Sequence, residues 1–198
     1  MSKPHFETVR SFADVPITHE GVETSAFVEA SEGLITMFDL FGSAVFGFVQ
    51  SDLKSNLQGV RDKFHSARDS SRTLELLVRA EVDEGHRHAT ACLVRFIRGL
   101  LFTHHALRNA QADRGAELHV CFQRAYDAVL RHQHNFLVRS VVSVAIRAVP
   151  RRRDFFARLA QGGDAEKLDA ELARWLSGLD AIVTRIKTFL EEGGYGRV

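Results

Sequence analysis

The chain has 198 residues, 45% of them hydrophobic, with 26 Lys+Arg against 25 Asp+Glu and a net charge of +1. That length is ordinary for a single domain with a sizeable core. The charge balance excludes a broad nucleic-acid footprint, which needs a basic excess, and two cysteines, Cys92 and Cys121, are too few for a disulfide framework or a cysteine metal site.

The first 22 residues are mixed and carry Pro4 and Pro16, so a loosely packed arm is expected over 1–22 and one domain over 23–198. There is no apolar segment of signal-peptide type after Met1 and no stretch long enough to span a bilayer. A soluble, monomeric, cytoplasmic protein is therefore expected, one that meets membranes peripherally and reversibly. The helical period predicts a helix from Glu23 to Val49, with Thr24 or Ser25 as its cap and Leu34, Phe38, Phe41, Val45 and Phe48 among its apolar positions. A second helix begins at Asp52, capped by Ser51, with Leu53, Leu57, Val60 and Phe64 on one face. A short helix over Ser71–Arg79 follows, then a long one over Glu81–Asn109. The middle of that long helix, Ala89 to Phe102, is apolar except for Arg95 and Arg98, as befits a central helix. Ala110–Gly115 reads as a loop. Two helical stretches follow, Glu117–Leu130 and His132–Val149, and a short one over Arg152–Leu159. Gln161-Gly-Gly163 is a break, Asp164 an N-cap, and Glu166–Leu190 the terminal helix, striped by Leu168, Leu172, Trp175, Leu179, Ile182, Ile186 and Leu190. Strand signals are poor throughout, so the fold class is all-α, with seven or eight helices in packed layers.

Two polar pairs stand in this apolar sequence. Asp52 and Asn56 are four apart, Arg95 and Arg98 three apart, and each pair shares a helix face. Asp52 and Asn56 are either a carboxylate and an amide on a solvated face or a set of acceptors and donors for hydroxyls and an amide. An arginine in so apolar a run must snorkel, pair with an acid such as Asp52, or hold a ligand, and two together can grip a phosphate. The 15 Phe, against 2 Tyr and 1 Trp, serve either a helical core or a cavity for alkyl chains. His134, before an apolar helix, can donate into a cleft. Arg147, Arg151, Arg152 and Arg153 form a basic segment around Pro150 suited to an anionic surface. The ten histidines hold no helical zinc motif, and the chain has no phosphate loop, nucleophile elbow or triad, so no enzyme, metal or cofactor is expected.

In this order and spacing, Leu40-Phe-Gly42 followed by Asp52-Leu-Lys-Ser-Asn56, then Arg95-Phe-Ile-Arg98-Gly-Leu100, then His134-Asn-Phe-Leu-Val138, the chain resembles the glycolipid transfer protein family from about Ala26 to Leu190. The resemblance implies a two-layer all-α sandwich that encloses an apolar lipid pocket, with a polar head-group site at its mouth and non-enzymatic transfer of sphingolipids between membranes. It implies that Asp52 and Asn56 bind the ceramide amide and head-group hydroxyls, that His134 bonds the amide carbonyl, and that Arg98 contacts the head group. Glycolipid-binding members place a Trp where Arg95 falls and a Lys where Gly59 falls. Arg95 resembles instead the members that bind ceramide-1-phosphate, the plant accelerated-cell-death protein among them, and Lys54 or Lys63 is a candidate further cation. Ceramide-1-phosphate is thus the expected ligand. A glycosphingolipid carrier, or a lipid sensor or adaptor of the same fold, is the alternative.

Overall fold

The computed structural model describes residues 3–41 and 46–198, so Gly42 of the first motif and Val45 of the first expected helix lie outside the described residues, as does the side chain of Phe41. The regular elements of the described residues are helices: α1 (His5–Thr8), α2 (Thr24–Met37), α3 (Phe46–Ser66), α4 (Leu74–Asp83), α5 (His88–Ala112), α6 (Leu118–Val129), α7 (Phe136–Arg147), α8 (Arg152–Ala160) and α9 (Ala165–Glu192), with three 3-10 turns. Extended pairing among them is limited to two isolated bridges, Ile17 with Val22 and Glu23 with Thr73. The helices stack as the two-layer all-α sandwich expected. Central α5 is packed by α3, α4, α6 and α9, which is why its apolar positions, Leu93, Phe96, Ile97, Leu100 and Leu107 among them, are fully buried.

Several boundaries differ from the sequence reading, each for a local reason. The first long helix gives way to a 3-10 turn at Phe38–Phe41, and α3 starts at Phe46, so Ser51 is no cap and Asp52 lies in the second helical turn. The cap of α2 is Glu23, whose carboxylate accepts the N–H groups of Ser25 and Ala26. The long helix expected from Glu81 is two helices: Gly85, at φ +80°, turns the chain between α4 and α5. In place of a side-chain cap on Arg87, α5 is started by Glu81 from α4, which accepts Ala89 N, Thr90 N and the Thr90 hydroxyl, all at 2.7 Å. Asp164 caps α9 as read, and the seven stripe residues of that helix are all buried.

The expected loose arm is the largest correction. Phe6, Phe12, Val15 and Val22 are buried, and the rings of Phe6 and Phe12 lie 5.2 and 5.0 Å from that of Trp175, between ring centroids. Lys167 pairs with Glu7 and Arg174 with Asp14, fixing the segment along α9. Gly178 makes this possible, because a Cβ there would lie 2.1 Å from Ala13 N. The arm therefore packs as an integral part of the domain. Proline content misled because the apolar residues between Pro4 and Pro16 follow no helical period.

Gly178→Ala is expected to lower the unfolding free energy by about 1–3 kcal/mol, the usual cost of overpacking, in urea denaturation; an unchanged midpoint would mean that the N-terminal segment does not sit on α9. Glu81 gives a pH test. Burial pushes its carboxyl up, but the Thr90 hydroxyl, the two backbone N–H groups and Lys63 outweigh that and hold it below its ordinary value of 4.5. A depressed carboxyl contributes stability above its unfolded pKa and loses it as pH falls through the folded one. Glu81→Gln should accordingly be less stable than the parent near neutrality, with the gap closing below about pH 4.5 in thermal melts.

Candidate lipid head-group site

Two close approaches bring α3 and α5 together. A Cβ on Gly59 would meet Cys92 Sγ at 2.6 Å, and one on Gly99 would meet Leu53 Cδ2 at 2.8 Å. With the helices this near, the α3 face that carries Phe48, Asp52, Asn56 and Gly59 at spacings of four and three lies beside the α5 face carrying His88, Cys92, Arg95 and Gly99. Both motif pairs therefore meet along one seam, and the third comes from the turn before α7.

Electrostatic reach shows the convergence. Arg98 and Asp52 both act on His134, Arg95 and Asp52 both act on Cys92, and Arg95 acts on Arg98. Asp52 and Arg95 are exposed, Arg98 and His134 half-buried, and Asn56 buried at 5%. Asn56 Nδ2 donates to the Asp52 backbone carbonyl at 2.9 Å, which holds the amide in the seam.

The ion pair between Arg95 and Asp52 that the sequence allows is not formed. Among the described residues neither Arg95 nor Arg98 lies within 4 Å of a carboxylate. Arg98 instead donates from Nε (3.0 Å) and Nη2 (2.5 Å) to the Arg197 carbonyl of the C-terminal segment. Burial and the neighbouring charge of Arg95 push the Arg98 guanidinium below its ordinary value. Two cations held one turn apart without an acid repel each other, and an anion between them relieves the repulsion.

His134 has a partner that the sequence reading missed. Tyr126 of α6 places its hydroxyl 3.2 Å from His134 Nδ1, and the two rings lie 5.7 Å apart. Burial, then the charges of Arg139 and Arg98, push the imidazole down, against the opposing effect of Asp52. The ring is thus neutral at neutral pH. In the tautomer where the tyrosine hydroxyl donates to Nδ1, the proton sits on Nε2 and can be donated to a carbonyl. The signal for Tyr126 was its position eight residues before His134, in a chain with 2 Tyr.

Of the candidate further cations, Lys63 is engaged with Glu84 at 2.5 Å. Lys54 is two residues from Asp52, nearly opposite it around α3. Gly59 leaves no room for a lysine unless Cys92 and His88 move.

The basic segment divides. Arg147, Arg151 and Arg153 are exposed. Arg152 is not available to a surface: its Nη1 donates to the carbonyls of Asp113 and Ala116, its Nη2 donates to Ala110, and its guanidinium lies over the Phe156 ring. It terminates α5 and ties α8 to it, since the last carbonyls of a helix need donors.

The sequence also concealed an apolar surface. On α7, Phe136 is 80% exposed and Leu137 73%, with Val141 and Val144 on the same face, and only Ala145 and Ile146 of this helix are buried. Phe48, one turn before Asp52 on α3, is 61% exposed. In sequence these positions have the period of a core-facing stripe, and nothing local says which way the stripe turns. No helix among the described residues is long and apolar enough to cross a membrane.

Comparison with known proteins identifies the family and the fold. Residues 22–161 match the family described as Glycolipid transfer protein (GLTP). A glycolipid transfer protein of Aureobasidium melanogenum is 40% identical over 186 residues, covering 93% of this chain and 92% of the relative. The human Pleckstrin homology domain-containing family A member 8 is 28% identical over 199 residues, and the chain spans only 38% of its length. Among solved structures, HET-C2, a fungal glycolipid transfer protein, superposes with a TM-score of 0.89 at 39% identity over 94% of this chain and 96% of that one. Mouse ceramide-1-phosphate transfer protein shares the fold, with a TM-score of 0.87 at 22% identity over 97% of this chain and 98% of that one. With matching helices, matching length and the three polar motifs gathered at one seam, this chain belongs to the glycolipid transfer protein family.

Proposed function

We propose that this protein carries a sphingolipid between membranes and that the head group it favours bears a phosphate, as in ceramide-1-phosphate. The observation that supports the phosphate is Arg95 and Arg98, one turn apart at the seam and without a carboxylate partner among the described residues. Guanidinium groups match phosphate oxygens in a planar, two-pronged way that a sugar face does not offer. In this reading Asp52 and Asn56 take the hydroxyls and amide that sphingolipids have in common, and His134, oriented by Tyr126, donates to the amide carbonyl. The alkyl chains pass between α3, α5 and α6, where Phe46, Leu53, Phe102 and Phe122 supply apolar surface. Each step is binding and release, with no bond made or broken.

The second reading is a carrier of glycosphingolipids. It is favoured by the relatives at 40% and 39% identity, both called glycolipid transfer proteins. The residues at the seam separate the two readings: Arg95 provides charge where a flat aromatic would provide stacking, and Gly59 is closed by Cys92.

For docking, we propose that the exposed face of α7 and Phe48 insert shallowly into the bilayer, with Arg147, Arg151 and Arg153 meeting anionic head groups. An apolar patch of this kind on a protein surface marks an interaction site. Its placement beside His134 and one turn from Asp52 supports this docking, since a membrane meeting that patch would lie next to the site. The two unpaired thiols, Cys92 and Cys121, suit a reducing, cytoplasmic face.

Labelled ceramide-1-phosphate is expected to move between vesicles faster than galactosylceramide, and the opposite order would overturn the phosphate reading. Arg95→Leu should lose roughly tenfold or more in ceramide-1-phosphate affinity, the worth of one charge-assisted contact at about 1.5–3 kcal/mol, while its far-ultraviolet circular dichroism and melting stay unchanged. Equal affinity would assign Arg95 to the surface alone. Changing both Phe136 and Leu137 to Ser should reduce vesicle flotation roughly tenfold or more, from the apolar area withheld from the membrane, with stability altered by less than about 0.5 kcal/mol. Flotation equal to the parent's would move docking to another surface.

A further inference from the structure

The residues that follow α9, 193–198, touch α5 at Val94 and Arg98, the two ends of the turn that contains Arg95. They leave α9 by a glycine-terminated helix end. Tyr195 N donates to the Leu190 carbonyl at 2.9 Å and Gly194 N to that of Glu191 at 3.2 Å, with Gly194 in the left-handed region at φ +67°. The apolar contact that commonly accompanies such an end is the Tyr195 ring, 5.1 Å from that of Phe189. Gly196 then lies close against α5, since a Cβ there would be 2.6 Å from Val94 Cγ2. The Arg197 carbonyl accepts from Arg98, four residues on from Val94 and so on the same face. Val198 is held by α9 in turn: its N–H donates to Glu191 Oε1 at 3.1 Å, and its backbone oxygen accepts from Lys187 Nζ at 2.9 Å. The segment is a strap, fixed to α9 at both ends and to α5 between them.

The bond to the strap leaves Arg98 with a defined set of donors. A guanidinium has five N–H groups. The Arg197 carbonyl takes that of Nε and one of Nη2, which form one edge of the group. The other edge, Nη1 and Nη2, keeps two parallel donors, the fork that phosphate oxygens accept. The acceptor is a backbone oxygen, so it holds the guanidinium without neutralising it, whereas a carboxylate there would compete with an anionic ligand. A long side chain that grips a ligand loses rotamer freedom, and one already held has less to lose. The charge of Arg98 acts on His134 and is acted on by that of Arg95, so the side chain that the strap holds belongs to the seam.

Building on the phosphate reading above, we propose that the strap is a positioning element for the head-group site: the Arg197 carbonyl, kept in place by the seat of Gly196 on Val94, pre-orients Arg98 so that its free edge takes the phosphate of the lipid. The strap itself makes no contact with the phosphate. Its contribution to binding passes through Arg98 alone.

The experiment is titration of short-chain ceramide-1-phosphate into the full chain, two strap variants, Arg98→Gln, and each strap variant combined with Arg98→Gln. Gly196→Val lifts the strap from Val94. Gly194→Ala strains the turn that starts it, and its Cβ would meet no other atom within 4 Å, so it is the milder change. Gly196→Val should weaken binding roughly three- to tenfold, within the coupling expected inside one hydrogen-bond network, and Gly194→Ala should weaken it less. Both losses should vanish in the Arg98→Gln background. In nuclear magnetic resonance the Arg98 Nε–H should be protected from exchange in the parent and lose that protection in both strap variants. An unprotected Nε–H in the parent overturns the inference. So does an equal loss of affinity with and without Arg98, which would mean that the strap acts through the fold, and so does tighter binding by the strap variants, which would make the strap a competitor for Arg98. Arg98→Gln alone separates the two claims. If it weakens ceramide-1-phosphate binding while the strap variants bind like the parent, the phosphate reading stands and this inference fails. If it changes nothing, the part of that reading that rests on Arg98 fails with it.

Discussion

Everything at the candidate head-group site depends on how closely α3 can lie against α5. Gly59 against Cys92 and Gly99 against Leu53 are close contacts in which a Cβ on the glycine would push the facing side chain aside. They bring the polar faces of two otherwise apolar helices into register, so an acid, an amide and two guanidinium groups from distant parts of the sequence share one small volume. The cost is electrostatic. Like charges at Arg95 and Arg98 are held together by packing that the apolar residues of α5 provide, and Arg98 is steadied by a backbone carbonyl near the end of the chain. A site of this kind is built by its scaffold, because the charged groups left to themselves would separate.

The second layer serves the same end from behind. Central α5 is started by Glu81 and finished by Arg152, each a charged side chain reaching from a neighbouring element to satisfy backbone groups at a helix terminus. Its length and its axis are thereby set by α4 on one side and α8 on the other. Because Arg95 and Arg98 ride on this helix, their placement is fixed at both ends by residues that touch no ligand.

Much of this was legible in the sequence, and the limits follow from physics. The all-α class, α8, the break at Gly162, the Asp164 cap and the buried stripe of α9 are local properties of periodicity and capping, and all are found. Asp52, Asn56, Arg95, Arg98 and His134 were legible as polar residues set in apolar helices, and the fold does gather them, although their roles rest on the proposal above. Non-local features escaped. The N-terminal segment packs through Gly178, more than 160 residues away. Arg152 looked like one of a basic run until the carbonyls it reaches were seen, and Tyr126 was unremarkable without the turn that brings His134 back to it. The exposed stripe of α7 shows the deepest limit. A helical period reveals that one face is apolar but not whether that face meets protein or solvent.

That stripe bears on how such a protein can diverge. Phe136 and Leu137 contribute almost nothing to the interior, whereas the opposite end of the same helix is anchored by Ala145 and Ile146. On the docking proposed above, the residues that would set the dwell time on a bilayer are thus separate from residues that set folding stability. In most domains a change of large apolar side chain is judged first by the core. If α7 docks as proposed, substitution at two or three positions would lengthen or shorten the stay at a membrane, with selection for foldedness nearly blind to the change.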